Sequence, residues 1–251
     1  MPAFDKAILK RVAEAQRRYG LIAPGDRIAV AVSGGKDSSV LAWALSALRP
    51  VLGFGYELRA VHVSSDFSSS VDKPGLAALL AGWGLPMDEI PVPVVGRLKE
   101  GRRMNCYWCS TQRRTELIRY ALREGFGKIA LGHHMDDVLE TFIMNMTSKG
   151  ELSTMPARLS YAKYPLTVIR PLALVEERQI IGFRESAGFA VDSCACPYGT
   201  ASKREDARAA LRALTGGSSS VKRRIHDSLG RVRPGYLSGI VEGEEGLGRA
   251  D

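Results

Sequence analysis

The stretch from Arg27 to Ser38 constrains the fold more than any other part of the chain. Arg27 to Val32 is an apolar run rich in β-branched residues with the length of a buried strand. Ser33-Gly34-Gly35 breaks it, and Ser38 to Leu48 then places Val40, Leu41, Leu45 and Leu48 at helical spacing before Pro50. A strand feeding a glycine loop and then a helix is the phosphate-binding unit of open parallel sheets. Glycines let the backbone approach closely, and the first amides of the helix point at an anion. Ser33, Lys36 and Ser38 add donors and charge. The loop is too short for a Walker A sequence, G-x-x-x-x-G-K-[ST], which the chain lacks.

The same alternation continues downstream. Strands are expected at Leu58–Val63, at Ile90–Val95 with Pro91 and Pro93 interrupting, at Lys128–Leu131 and at Thr167–Arg170. Helices are expected over Phe4–Tyr19, Leu76–Trp83, Thr111–Arg123 and Glu176–Ser186. This pattern predicts an α/β fold, a doubly wound, mostly parallel sheet with helices on both faces and ligands at the carboxyl ends of its strands. Three parts are expected: an N-terminal helix in residues 1–23, a core domain over 24–214, and a tail over 215–251. The tail reads as flexible from Gly216-Gly217-Ser218-Ser219-Ser220 onward, first basic and then acidic. Apolar residues at 45% and charged residues at 25% suit a globular chain of 251 residues. No apolar stretch approaches the roughly 18 residues of a membrane span, and Met1 to Arg18 has no secretory apolar region, so a cytoplasmic protein with no membrane partner is expected.

A net charge of +8 is too mild to name a partner, but its distribution is uneven. Arg97 to Arg123 holds eight basic and two acidic residues, and Lys203 to Arg233 holds nine and three. Both segments adjoin cysteines, which moves nucleic acid up the list of partners. Between them lies Gly132-His133-His134-Met135-Asp136-Asp137, continuing to Thr141. At 100° per residue, His133, Asp136, Asp137 and Glu140 share one arc of a helix and Met135, Val138, Leu139 and Phe142 the other. That arrangement predicts a buried side and an acid–imidazole side. A capped helix start is the plain alternative, although two carboxylates beside two imidazoles cost more repulsion and desolvation than a cap requires.

Cys106-x-x-Cys109 and Cys194-x-Cys196 are the whole cysteine content. Four cysteines in an intracellular chain argue for metal or redox work rather than a disulfide framework. An iron–sulfur cluster, a Cys₄ zinc (Zn²⁺) site and a redox dithiol compete, and spacing alone favours zinc.

Ser33 to Ser38 resembles the PP-loop signature of the ATP pyrophosphatase superfamily, whose members cleave ATP between the α and β phosphates. Further matching residues are Pro24-Gly25-Asp26, Cys106-Tyr107-Trp108-Cys109 with Arg113 and Arg114, Leu131 to Asp137, Asn145, Met155-Pro156, Arg170-Pro171-Leu172 and the late cysteines. With these the chain resembles the tRNA 2-thiocytidine synthetase (TtcA-like) family from about residue 5 to residue 214.

The resemblance implies a PP-loop, adenine nucleotide alpha hydrolase-like fold and an ATP-dependent sulfurtransferase. Such an enzyme adenylates the C2 oxygen of a cytidine, at position 32 of tRNA, and replaces it with sulfur. Ser33, Gly34, Gly35, Lys36, Asp37 and Ser38 would grip the phosphates, with Lys36 on the departing pyrophosphate and Asp37 on Mg²⁺ or the reacting phosphate. Val63 and Ser64 would receive the adenine, His133 or His134 would contact phosphate, and Asp136 or Asp137 would coordinate Mg²⁺. In the family three cysteines hold a [4Fe-4S] cluster with one iron free to take sulfide. Cys106 and Cys109 match directly. The late pair is Cys-x-x-Cys in the family and Cys194-x-Cys196 here. Cys196 is expected to be the third ligand, since Arg204 lies eight positions after it as in the family pattern; Cys194 would instead close the cluster. Tyr107 and Trp108 either stack on a base or pack beside the cluster. The implied partners are tRNA and a sulfur donor such as a cysteine desulfurase, with a homodimer left open. The alternatives are another PP-loop tRNA-modifying enzyme, of the uridine thiolase or tRNA lysidine synthetase type, and a zinc-stapled nucleotide- or RNA-binding module without turnover.

Overall fold

The apolar run before the glycine loop becomes the central strand of a six-stranded sheet. The computed structural model describes residues 3–68, 70–188 and 203–237. Its strands are β1 (Arg27–Ala31), β2 (Glu57–Ser65), β3 (Met87–Val92), β4 (Lys128–Ala130), β5 (Arg158–Ser160) and β6 (Thr167–Ile169), in the order β3-β2-β1-β4-β6-β5. All neighbours are parallel except β5 with β6. The helices α1 (Ala3–Tyr19), α2 (Lys36–Leu52), α3 (Lys73–Gly82), α4 (Cys106–Arg123), α5 (Met135–Lys149) and α6 (Glu177–Ala187) surround it. Ile28 and Val30 of β1 belong to a core shared with α1, α2 and α6, whereas Ala29 and Ile129 belong to a second core built with α4. Both faces of β1 are therefore covered, which is why its sequence is continuously apolar rather than alternating.

The expected doubly wound α/β architecture is present, and the differences in detail have local causes. Helix α4 begins at Cys106, five residues before the expected start, because Asn105 caps it by accepting the Trp108 N–H at 2.8 Å. The cysteine pair thus lies on the first turn of a helix. Strand β3 tolerates Pro91 because it is an edge strand. Strand β5 escaped notice because it is three residues long and exposed throughout. Helix α1 docks on the body through Ile8, Val12 and Ala15, which are buried in the main core, as its apolar stripe predicts.

The largest correction concerns the segment expected to be a flexible tail from residue 215. Helix α7 (Lys203–Thr215) is followed by a two-glycine turn and then by α8 (Ser219–Ser228), which folds back onto the body. Ser219 Oγ donates to Glu176 at 2.6 Å, and Arg18 Nη1 donates to Asp227 at 2.9 Å. A composition typical of linkers turned into structure because buried acids elsewhere supplied anchors. Residues 238–251 lie outside the described residues. Among the described residues no helix is long and apolar enough to cross a membrane.

Candidate active site

A cleft of about 390 Å³ opens at the carboxyl ends of the strands, where the strand order reverses between β1 and β4. Ser33, Asp37 and Ser38 of the glycine loop line one side. Gly34 turns at φ +86°, a conformation that favours glycine. The Ser33 N–H donates to Ser38 Oγ at 3.1 Å, and that hydroxyl donates to the Gly35 carbonyl at 2.9 Å, so the loop is held by its own serines. Gly35, the N-cap of α2, is extended and brings no side-chain cap, which leaves the first-turn amides available to an anion. Gly132, just after β4, packs so close that a Cβ there would lie 3.1 Å from the backbone of Asp37 and Ser38. This cradle of backbone amides fits a phosphate group.

Asp37, Ser33 and Ser38 line the cleft, but Lys36 is not part of its wall. The Lys36 ammonium donates to the two Asp37 oxygens at 3.0 and 3.1 Å and lies 3.0 Å from Glu177 Oε1 on the first turn of α6. Burial works against its charge, yet the two carboxylates outweigh burial and raise its pKa. Glu177 was not anticipated, because nothing in the sequence links it to a loop about 140 positions earlier.

The two imidazoles have separate duties. His133 lines the cleft, and its Nδ1 accepts from Nε of the buried Arg170 at 3.3 Å. Burial first, and then the Arg170 charge, lower its pKa to about 4, so at pH 7 the ring is neutral with its proton on Nε2. His134 is instead the N-cap of α5. Its N–H donates to Asp137 Oδ2 at 3.0 Å, and its Nδ1 accepts the Asp137 N–H at 3.4 Å.

The two aspartates also part company. Asp137 lines the cleft; Asp136 does not. One Asp136 oxygen accepts the Glu177 N–H at 2.8 Å and the other accepts from Lys222 of α8. Burial would raise its pKa, but these donors outweigh burial and lower it. Because Asp136 is turned away from the cleft and held by Glu177 and Lys222, the expectation that it might hold Mg²⁺ there gives way to a structural role. Glu140 is likewise buried and paired with Arg208 at 2.7 Å, so this side of α5 faces α7 and α8 rather than solvent. Among the described residues no three His, Cys, Asp or Glu side chains converge to hold a metal ion. A magnesium ion here would be shared between one or two carboxylates and the phosphates of a nucleotide. Val63 lines the cleft, whereas Ser64 Oγ turns to Glu89 at 2.6 Å.

Helix α4 forms the opposite wall, through Ser110, Arg113 and Arg114. Cys106 and Cys109 lie one turn earlier on the same helix, Cys106 exposed and Cys109 half-buried at the margin of the second core. Sulfur donors one helical turn apart fit part of an iron–sulfur or zinc site. Cys194 and Cys196 lie outside the described residues. Trp108 turns inward and donates its indole N–H to the Val94 carbonyl at 3.2 Å, while Tyr107 is 81% exposed. Arg204 of α7 completes the rim, 3.6 Å from Asp137. Arg113, Arg114, Arg170 and Arg204 were legible only as motif residues; their convergence is a product of the fold.

A nucleotide cradle of this kind on a doubly wound sheet defines a PP-loop domain, and the family model described as the PP-loop domain matches residues 5–194. A tRNA-cytidine(32) 2-sulfurtransferase of Geobacter sulfurreducens is 39% identical over 240 residues, covering 92% of each chain, and one from Xylella fastidiosa is 34% identical over 237 residues, covering 93% of this chain and 79% of that one. The chain belongs to the tRNA-cytidine(32) 2-sulfurtransferase family of PP-loop proteins. Among solved structures, the U34-tRNA thiolase NcsA from Methanococcus maripaludis with its [4Fe-4S] cluster superposes with a TM-score of 0.73. It is 23% identical, and the match covers 92% of this chain and 80% of that one, a likeness of fold.

Proposed function

We propose that this protein is an ATP-dependent tRNA sulfurtransferase that converts cytidine to 2-thiocytidine, at position 32 of the anticodon loop. The observation that carries the reading is that one cleft has the phosphate loop on one wall and the cysteine-bearing helix α4 on the other. The C2 oxygen of a cytidine attacks the α-phosphate of ATP, and pyrophosphate leaves. The first-turn amides of α2, with Ser33 and Ser38, stabilise charge on the phosphates. Neutral His133 offers its Nε2–H at the cleft wall without adding charge, and Asp37 and Asp137, which line the same cleft, would share a magnesium ion with the nucleotide. Sulfur then displaces AMP, which carries away the original oxygen.

Cys106 and Cys109, with Cys196 as third ligand, would hold a [4Fe-4S] cluster. When bound there, a cluster with one iron lacking a protein ligand supplies a site for sulfur beside the activated base. A donor of the cysteine desulfurase type would supply that sulfur. Arg113 and Arg114, which line the cleft, would meet the RNA backbone, and exposed Tyr107 would offer a stacking face to an unpaired base. The test is to incubate the anaerobically purified protein with tRNA, ATP, Mg²⁺ and a sulfide source, then measure pyrophosphate and digest the tRNA to nucleosides. Pyrophosphate release with 2-thiocytidine is expected. Cys109→Ala should abolish thiolation while leaving nucleotide binding intact. Absence of 2-thiocytidine with the wild type, or a thiolated uridine in its place, overturns the reading.

A further inference from the structure

Lys36 is the one cation in the loop from Ser33 to Ser38, and it is shared between two carboxylates. Asp37 from its own helix and Glu177 from α6 each lie 3.0 Å from the ammonium. Lys36, Asp37 and Glu177 together are net negative, at the loop where a polyphosphate has to sit. Asp137 and Arg204, which line the cleft with Asp37, pair at 3.6 Å and offset each other, and Arg113 and Arg114 line it from α4, so the groups nearest the loop's own cation are Asp37 and Glu177.

The segment carrying Glu177 is anchored from behind. Its N–H is tied to Asp136 at 2.8 Å, and Asp136 is held by Lys222 of α8. The preceding residue, Glu176, forms a capping box with Gln179 and accepts from Ser219 and Arg223 of α8. A carboxylate fixed in this way opposes an anion that brings no countercharge and leaves Lys36 little unshared charge to offer.

We propose that Glu177 is a specificity-determining residue for the nucleotide, making the loop accept ATP as its divalent-metal complex and resist metal-free ATP. The charge of the metal offsets the two carboxylates and leaves Lys36 to the phosphate oxygens. This inference rests on the reading of the cleft as an ATP site, and it gives the C-terminal helix α8 a part in that site through Asp136.

The test is nucleotide binding to the full chain by titration calorimetry, with ATP in excess EDTA and in excess Mg²⁺. Glu177→Gln keeps the size of the side chain and an acceptor for Lys36 but removes the charge. It is expected to bind metal-free ATP about tenfold more tightly than the wild type, the scale of one like charge removed beside a partly solvated phosphate. Affinity for the magnesium complex should change by less than about threefold, so the preference for the complex shrinks. Damage to the fold or to the loop weakens both forms and cannot produce a gain for one. Glu177→Ala is the second variant, with the same shift expected. An unchanged preference, or equal weakening of both forms, in either variant overturns the inference. A wild type that thiolates tRNA while the variants keep its preference sinks the inference alone. A wild type that yields no thiolated nucleoside while the variants show the shift sinks the thiolation reading alone.

Discussion

Residues 97–123 and 203–233 carry the same excess of Lys and Arg, eight basic against two acidic and nine against three. In the first segment, Arg97 and Arg119 share Glu116 at 2.7 and 2.8 Å, while Arg113 and Arg114 line the cleft. In the second, four of the nine cations turn inward: Arg208 to Glu140, Lys222 to Asp136, Arg223 to Glu176, and Arg204 to Asp137 and Glu140. Glu140 and Glu176 are each only 1% exposed, so these cations supply the hydrogen bonds and countercharge that offset the burial of the carboxylates. A dense run of positive charge shows only that anions lie near it. Whether those anions are RNA phosphates or the protein's own carboxylates depends on which acids the fold buries.

The sharpest way to break this comparison is to remove one inward-facing cation. Arg208→Ala leaves Glu140 Oε1 without its donor, beside an Oε2 that already lacks a hydrogen bond. A loss of about 2 kcal/mol in denaturant unfolding is expected, below the roughly 3–5 kcal/mol of a fully buried broken pair because Arg208 itself is half-exposed. Affinity for tRNA should stay within about twofold in the same variant. A large loss of tRNA affinity at unchanged stability would mean that the second segment also serves the RNA.

His133 sharpens the comparison where the two segments meet, since burial first, then Arg170, and with smaller effect Arg204 from one segment and Arg114 from the other, disfavour its protonation. Its pKa is lowered to about 4, whereas an unfolded histidine titrates near 6.5. The unfolded state therefore binds the proton first. The stability His133 contributes is fully present above pH 6.5 and declines as pH falls toward about 4, with a slope of at most about 1.4 kcal/mol per pH unit. His133→Gln should flatten stability against pH in that window; an unchanged slope would show that the imidazole is charged in the native protein.

The fold was legible wherever a local pattern met one environment. The run from Arg27 to Val32 reads as a buried strand from its length and β-branched residues, and the glycines after it read as a loop of close backbone approach. The site was legible as residue types but not as directions. His133 and His134 are adjacent, yet one faces the cleft and the other caps α5; Asp136 and Asp137 divide in the same way. One residue rotates a side chain by about 100° on a helix, so which neighbour faces a ligand depends on where the helix starts. Gly216 to Ser220 misled for a different reason. Their composition describes an unanchored chain, and the anchors, Asp136 and Glu176, lie 40 to 90 positions away in the sequence.

The outward-facing segment should respond to substitution in the opposite manner. Arg113→Ala with Arg114→Ala is expected to lower tRNA affinity about tenfold and to reduce its salt dependence by up to about two phosphate contacts. Thermal stability should change little, because no carboxylate is left without a partner. If the double variant unfolds while Arg208→Ala loses tRNA, the assignment of the two segments is reversed.

The smallest expected effect is at Tyr107. Trp108 beside it is committed to the protein through its bond to Val94, but Tyr107 projects into solvent from the first turn of α4, next to Cys106 and ahead of the cleft-lining arginines. An exposed aromatic ring lowers no folding free energy by burial, whereas an unpaired base stacked on it gains roughly 1 kcal/mol or more. Tyr107→Ala is therefore expected to raise KM for tRNA by about fivefold with little change in stability, and Tyr107→Phe to restore it, since stacking needs the ring rather than the hydroxyl. Recovery with phenylalanine but not with leucine separates stacking from simple apolar contact. Equal rescue by both would place Tyr107 at a greasy rim and leave the arginines as the RNA contacts of α4.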